Sequence, residues 1–422
     1  MKILILTIGS RGDVQPYVAL GMRLQQHQHD VTIGTCAEFE SFISDHGLNY
    51  AFINNEQLEF MRSDDGRIAM EHTGNLWEAI QTGRRLLPKV GPMLRRQIDD
   101  AWKATQEVQP DLILFHPKAL GSADFAERLQ IPCMFAFYLP IYVPTGDFPA
   151  MGFPGLPLGR WYNRMTVKLI NRVTWLATRK HINAWRVANG MARRSGRDFL
   201  KRGDGEVIPA IHAFSPSVIP QPDDWPETAT VTGYWFLDRA ADWQPSAELE
   251  SFLSAGSPPV YFGFGSIFGR DPSRVTRMIV EAVRAAGVRA IVARGWGGLD
   301  PSGMELPDSM LAIDAAPHDW LFERCAAVVH HGGCGTTAAA LRSGRPQFIC
   351  SFFGDQPFWG KTMQSLGVAP APIPQRRLTP GKLIAAIRQI TTDAAMTARA
   401  VQLGQQIRSE DGVGNAVRFI ER

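Results

Sequence analysis

The run His330-His331-Gly332-Gly333-Cys334-Gly335-Thr336-Thr337 sets two imidazoles, three glycines and two hydroxyls directly after the short apolar stretch Ala326 to Val329. A strand that turns through glycines into a helix suits an anion. The first helical turn offers backbone N–H groups without intrahelical partners, and the helix dipole favours negative charge beside them. Glycines remove the Cβ atoms that would block close approach, so this elbow is expected to cradle a diphosphate. A second polar stop, Phe353-Gly354-Asp355-Gln356, ends the apolar stretch Gln347 to Cys350. A carboxylate and an amide side by side suit the hydroxyls of a sugar.

A third polar stop, Gly9-Ser10-Arg11-Gly12-Asp13, ends the apolar stretch Ile3 to Ile8. Asp13 is the candidate base for activating a hydroxyl at the edge of an α/β sheet. A carboxylate with an ordinary pKa of about 4 is a weak base for an alcohol, so that role requires desolvation or late proton transfer. The competing reading is that Asp13 caps a helix starting at Gln15-Pro16. Adjacent histidines on a strand point to opposite faces, which argues against His330 and His331 sharing a metal. Gly263-Phe264-Gly265 is followed by Gly269, one residue late for a dinucleotide fingerprint, and no Walker-type lysine follows. No cluster with metal-ligand spacing stands out, and a helix end with His331 can offset a leaving diphosphate without one.

The elements that must position these groups alternate between strand and helix. Strands are expected at Ile3 to Ile8, Val31 to Thr35, Leu112 to Phe115 and Cys133 to Phe137, with helices over 15–27, 38–46 and 119–129. A second series has strands at Val260 to Phe264, Arg289 to Ala293, Met310 to Ile313, Ala326 to Val329 and Gln347 to Cys350. Its helices are expected over 273–286, 380–391 and 396–420. At 422 residues the chain has room for two such domains. The fold class is therefore α/β: two doubly wound, Rossmann-like domains with a crevice between them. The expected boundaries are 1–238, a proline- and tryptophan-rich linker over 239–258, a second domain over 259–400, and a C-terminal helix over 401–422 packing back on the first domain.

Composition limits the partners. The net charge of +3 gives no case for nucleic acid, and five cysteines without a CxxC pair suit reduced thiols in a cytoplasmic protein. Residues 1–8 read as a buried first strand rather than a signal peptide, and no run approaches a membrane span. Residues 159–197 hold ten Lys or Arg and no Asp or Glu, with Arg160, Arg164, Lys168, Arg172 and Arg179 on one helical face. Peripheral membrane contact and a solvated helix face are the two readings of that segment.

Four blocks carry a family resemblance: Gly9 to Pro16, Phe262 to Ser266, Ala316 to Phe322, and His330 to Gln356. In order and spacing the chain resembles family 1 nucleotide-sugar-dependent glycosyltransferases of the GT-B fold, especially sterol and bacterial natural-product glucosyltransferases. The resemblance implies that the second half holds the nucleotide sugar, the first half holds the acceptor, and the anomeric centre is inverted. It implies donor contacts from Ser266, Ala316, His318, His331, Gly333, Cys334, Gly335, Thr336, Asp355 and Gln356. The acceptor surface is expected around His72 to Leu87, His116 to Gly121 and Tyr138 to Phe153, with His116, Tyr138 and Tyr142 as contacts. No cofactor beyond the co-substrate is expected, and UDP-glucose is the expected donor. Alanine near 315 and at 339, where plant members carry a tryptophan and a glutamate, leaves dTDP as the competing nucleotide. The resulting expectation is metal-independent transfer of a hexose to a hydroxyl of a sterol, polyketide or flavonoid. A sugar-nucleotide epimerase of the same fold and a non-catalytic, membrane-recruited sugar-nucleotide sensor are the alternatives.

Overall fold

A computed structural model describes residues 1–66, 76–196, 198–264, 272–295, 299 and 304–422. Two compact units emerge. One comprises Met1–Ala69, Leu76–Leu237 and Glu410–Arg422, and the other contains Asp238–Ser409.

The first unit runs β1 (Lys2–Leu6), α1 (Arg11–Gln26), β2 (Asp30–Cys36), α2 (Glu40–Ser44), β3 (Asn49–Ile53), α3 (Glu56–Arg62), α4 (Leu76–Val108), β4 (Leu112–Phe115), α5 (Ser122–Leu129), β5 (Cys133–Phe137), α6 (Gly159–Ala188), β6 (Ala210–His212) and β7 (Ala229–Val231). Its sheet has the order β3-β2-β1-β4-β5-β6-β7, with every neighbouring pair parallel. Ile3, Leu4, Ile5 and Leu6 are all fully buried, as are Ile113 and Leu114 of the adjacent strand. Strands covered on both faces give continuous apolar runs, which is why the sequence shows them so plainly. The order reverses between β1 and β4, so the loops leaving those two strands flank a topological switch point.

The second unit runs α7 (Ala247–Ser254), β8 (Val260–Gly263), α8 (Pro272–Ala286), β9 (Ala290–Ala293), β10 (Met310–Ile313), α9 (His318–Leu321), β11 (Ala327–His330), α10 (Cys334–Arg342), β12 (Gln347–Ser351), α11 (Gln356–Ser365), β13 (Ile373–Pro374), α12 (Pro380–Thr392) and α13 (Ala394–Ser409). Its sheet order is β10-β9-β8-β11-β12-β13, again parallel throughout, with the reversal between β8 and β11. One face packs Val260, Phe262, Val292, Val329 and Phe348 against α8 and α12.

Several expectations differ from what forms. Residues 239–258 belong to the second unit and contain α7, whose Ser246 N-cap accepts from the N–H of Leu249. The helix expected over 396–420 is two helices, because Asp411 starts α14 (Gly412–Ile420) by accepting from the N–H of Gly414 at 2.9 Å. α14 belongs to the first unit, where Glu410 accepts from the hydroxyls of Ser215 (2.6 Å) and Ser217 (2.8 Å). Leu76 to Leu87, expected as acceptor loop, opens the 33-residue helix α4, which continues through Pro88 and Pro92. His72 lies outside the described residues.

Candidate functional site

At the switch point of the first unit, polar groups from the ends of β1, β4 and β5 meet on one carboxylate. Helix α1 begins at Arg11, four residues before the expected Gln15, with Ser10 as its N-cap. Asp13 is therefore the third helical residue rather than the cap, and its Oδ2 reaches back to accept from the Ser10 N–H (2.7 Å) and hydroxyl (3.1 Å). The capping reading is thus partly right, but it uses one oxygen only. Oδ1 accepts from Lys118 Nζ at 2.8 Å and from the Tyr138 hydroxyl at 2.7 Å, and His116 Nε2 lies 3.4 Å away. Gly9 lies beneath it at φ 141°, where an added Cβ would collide with Asp13 Oδ2.

The Asp13 carboxylate is buried, which raises its pKa, but Lys118, His116 and Tyr138 outweigh that burial and hold it at about 2. It is ionised at neutral pH. His116 is fully enclosed, and burial depresses its pKa to about 3. Its Nδ1 accepts from the Lys118 N–H at 3.1 Å, so the neutral ring carries its proton on Nε2, toward Asp13. His116 consequently has no free lone pair with which to act as a base. The sequence-expected Asp13, His116 and Tyr138 come together here. Tyr142 belongs to a different aromatic group, stacked on Phe199 (4.6 Å between centroids) and edge-on to Phe135.

In the second unit, His330 ends β11 with Nδ1 accepting from the Gly332 N–H (3.0 Å) and Nε2 against Gln347 Oε1 (2.8 Å). This buried histidine is a structural peg, its pKa pressed down to about 4 by burial. The ring of His331 stands at 87° to it, and its enclosed Nδ1 has no hydrogen-bond partner. Burial, with His330 and His318 nearby, lowers the His331 pKa to about 3. Gly332 sits at φ 91°, and a Cβ there would come within 2.6 Å of Ile349; a Cβ on Gly333 would strike the His331 ring. Gly335 faces open space. The first intrahelical bond of α10 is Thr337 N–H to Gly333 carbonyl at 2.9 Å, leaving the N–H groups of Gly335 and Thr336 beyond the reach of the helix's own acceptors. Thr336 is half-buried at this edge, whereas the Thr337 hydroxyl is buried without a hydrogen-bond partner.

A Cβ on Gly332 would also come within 3.2 Å of the Gln356 carbonyl, so the loops after β11 and β12 lie close together. Gln356 Oε1 accepts from the N–H groups of Phe352 (2.7 Å) and Phe353 (3.2 Å), which makes it a brace for its own loop. Asp355 is the N-cap residue of α11, and its Oδ2 accepts from Trp359 Nε1 at 3.0 Å. His318 opens α9 and stacks on Phe322 at 4.3 Å; Ala316 is half-buried beside the same apolar cluster. Ser266 lies outside the described residues. Among the described residues no group of three His, Cys, Asp or Glu could hold a metal ion.

Residues 3–145 match the glycosyltransferase family 28 N-terminal domain, and residues 291–417 match the erythromycin biosynthesis protein CIII-like C-terminal domain. The chain has the GT-B fold. It is 38% identical over 437 residues to a sterol 3-beta-glucosyltransferase of Emericella nidulans, covering 100% of this chain and 30% of that protein. A sterol 3-beta-glucosyltransferase of Cryptococcus neoformans is 37% identical, with 100% and 27% covered. The chain thus spans under a third of the length of these relatives. Among solved structures, the glycotransferase of kitacinnamycin superposes with a TM-score of 0.72 at 19% identity, covering 100% of this chain and 98% of that one. Spinosyn rhamnosyltransferase SpnG complexed with thymidine diphosphate gives 0.65 at 18%, with 100% of each chain covered.

Within this GT-B fold, sequence reasoning missed Lys118, Thr7 and Gln347. Thr7 donates from its hydroxyl to the Asp13 carbonyl at 2.6 Å, and Gln347 orients His330. Each sits at a strand end or just beyond one. Polar residues ending otherwise apolar runs were the available signal, and His116-Pro117-Lys118 after Leu112 to Phe115 is the clearest case.

Proposed function

We propose that the chain transfers a hexose, glucose from UDP-glucose, to a hydroxyl of a lipophilic acceptor such as a sterol or polyketide, with inversion. The observation that carries this reading is the elbow between β11 and α10. Gly332 and Gly333 leave no room for side chains beneath it, Gly335 opens onto free space, and helix N–H groups with His331 converge there. That arrangement suits a diphosphate leaving group. The sterol glucosyltransferase relatives and the thymidine-diphosphate complex of a structural neighbour support the same substrate classes.

Asp13 is the proposed base. The acceptor hydroxyl takes over the position of the Lys118 ammonium on Oδ1; the Lys118 side chain is 37% exposed and free to swing away. Without that cation, burial dominates and Asp13 becomes more basic. As the acceptor oxygen bonds to the anomeric carbon, the bond to the diphosphate breaks and the proton passes to Asp13. The negative charge leaves with UDP, offset by helix α10 and His331, so a metal ion is not required.

A donor-by-acceptor screen read by mass spectrometry tests this proposal. Glucosylated sterol or polyketide from UDP-glucose, formed in the presence of EDTA, is the expected product. Absence of transfer from both UDP- and dTDP-hexoses to any lipophilic alcohol would overturn the reading. An epimerised sugar nucleotide formed without acceptor would replace it with the epimerase alternative.

A further inference from the structure

Helix α6 has two apolar sides, and only one is used by the fold. Val167, Trp175, Ile182 and Trp185 are buried, and the Arg186 guanidinium pins the helix end through ion pairs of 2.7 Å to Asp124 and to Glu127. The other side is open. Of the thirteen large apolar side chains exposed among the described residues, seven fall within 156–176: Leu156, Leu158, Trp161, Met165, Leu169, Val173 and Leu176. Trp161 is 71% exposed. From Trp161 onward the spacing is three or four residues, so these side chains form one stripe along the helix.

The charge beside this stripe is of one sign. Lys168, Arg172, Arg179 and Lys180 are exposed, and the helix contains no acidic residue. The basic face expected from sequence is smaller than it looked at its start, because Arg160 pairs with Asp147 (2.6 Å) and Arg164 with Asp224 (2.7 Å). Those two residues hold the helix to its own unit. The remaining cations, next to Trp161 and the leucines, complement an anionic surface that also accepts apolar side chains. A second copy of the chain would set these cations against their own equivalents in a two-fold contact, which disfavours it as the occupant.

We infer that this face of α6, with the preceding Leu156 and Leu158, docks flat on an anionic lipid bilayer. The docking goes beyond glycosyl transfer and does not depend on it. No described helix is long or apolar enough to cross a membrane, so the contact is interfacial. Trp161 to Leu176 extends about 22 Å along the helix at 1.5 Å per residue.

The test is co-sedimentation of the whole chain with phosphatidylcholine vesicles, with and without phosphatidylserine, at low and high salt. Binding that needs phosphatidylserine and weakens with salt is expected. Met165→Glu/Leu169→Glu should lower partitioning by at least about tenfold at every salt concentration. Changing Lys168, Arg172 and Arg179 to glutamine should cost about fivefold per residue and flatten the salt dependence. Hydrogen exchange on the unaltered chain, which needs no variant to fold, should show vesicle-induced protection confined to residues 156–180. Failure to bind at low salt, wild-type binding by either variant, or protection outside that segment overturns the inference. So does a dimer in solution that Leu169→Glu converts to monomer, since the face would then belong to a second copy.

Discussion

Both oxygens of Asp13 are saturated by donors, which makes asparagine a poor isostere. Whichever way the amide turns, its NH2 faces either the Ser10 N–H and hydroxyl or Lys118 and Tyr138. Asp13→Asn is therefore expected to cost about 1–3 kcal/mol of stability and about 10² or more in turnover, while UDP affinity persists. Chemical denaturation, kinetics and calorimetry measure the three. The pH dependence separates a base from a structural carboxylate. Lys118 depresses the Asp13 pKa, so Lys118→Met should move the acidic limb of kcat/KM to higher pH, where the enlarged protonated fraction is inactive. An acidic limb that stays in place after Lys118→Met would remove Asp13 from the base role. His331→Ala should weaken donor binding by about 1.5–3 kcal/mol, read by calorimetry, if its ring meets the diphosphate. The places of Asp13 and His331 at the ends of buried strands were legible in the sequence because a glycine adjoins each where an apolar run stops. Lys118 was not, since its role depends on β4 lying beside β1, a pairing that one-dimensional spacing does not reveal.

At the scale of elements, strands buried on both faces were readable to within a residue or two, whereas short or proline-containing elements were not. β6 and β7 have three residues each, too few to show a pattern. Pro88 and Pro92 disguised the 33-residue α4, and Asp411 broke what looked like one terminal helix. Glycine roles likewise needed coordinates. Within the elbow, Gly333→Ala must displace the His331 ring, so both donor binding and stability should fall. Gly335→Ala meets no atom within 4 Å, so the fold should be unharmed or gain up to about 1 kcal/mol from helix propensity. Its new methyl group nevertheless occupies the space a diphosphate would enter. Loss of UDP affinity with an unchanged or raised Tm is the expected result for Gly335→Ala. Unchanged affinity in that variant would place the diphosphate elsewhere.

Across the whole molecule, two parallel sheets of the same design carry different polar groups at their switch points, and both bury histidines in neutral form. In the first unit His116 and His212 are fully enclosed, with pKa values lowered by burial to about 3 and about 4 from an ordinary 6.5. In the second unit His330 is lowered to about 4 and the half-buried His331 to about 3. Each ring binds a proton in the unfolded chain below pH 6.5 but not in the folded one, so acid favours unfolding throughout that window. For the first unit, two such groups predict a loss of about 2.7 kcal/mol per pH unit between roughly pH 6 and 4.5. Asp13 adds to this only below about pH 4, where the unfolded carboxylate takes up a proton that the folded one, held at about 2, does not. A diphosphate bound beside His331, as proposed, would stabilise the second unit by mass action. Hydrogen exchange at pH 5 in saturating UDP should therefore show β11 and β12 keeping their protection while β4 and β5 lose theirs. Without UDP both pairs should have lower protection factors, corrected for intrinsic exchange, than at pH 7. Protection of β4 and β5 that does not change between pH 7 and 5 would mean that His116 and His212 take up protons inside the fold. Equal rescue of both units by UDP would mean that the nucleotide site is not confined to the β11–α10 elbow.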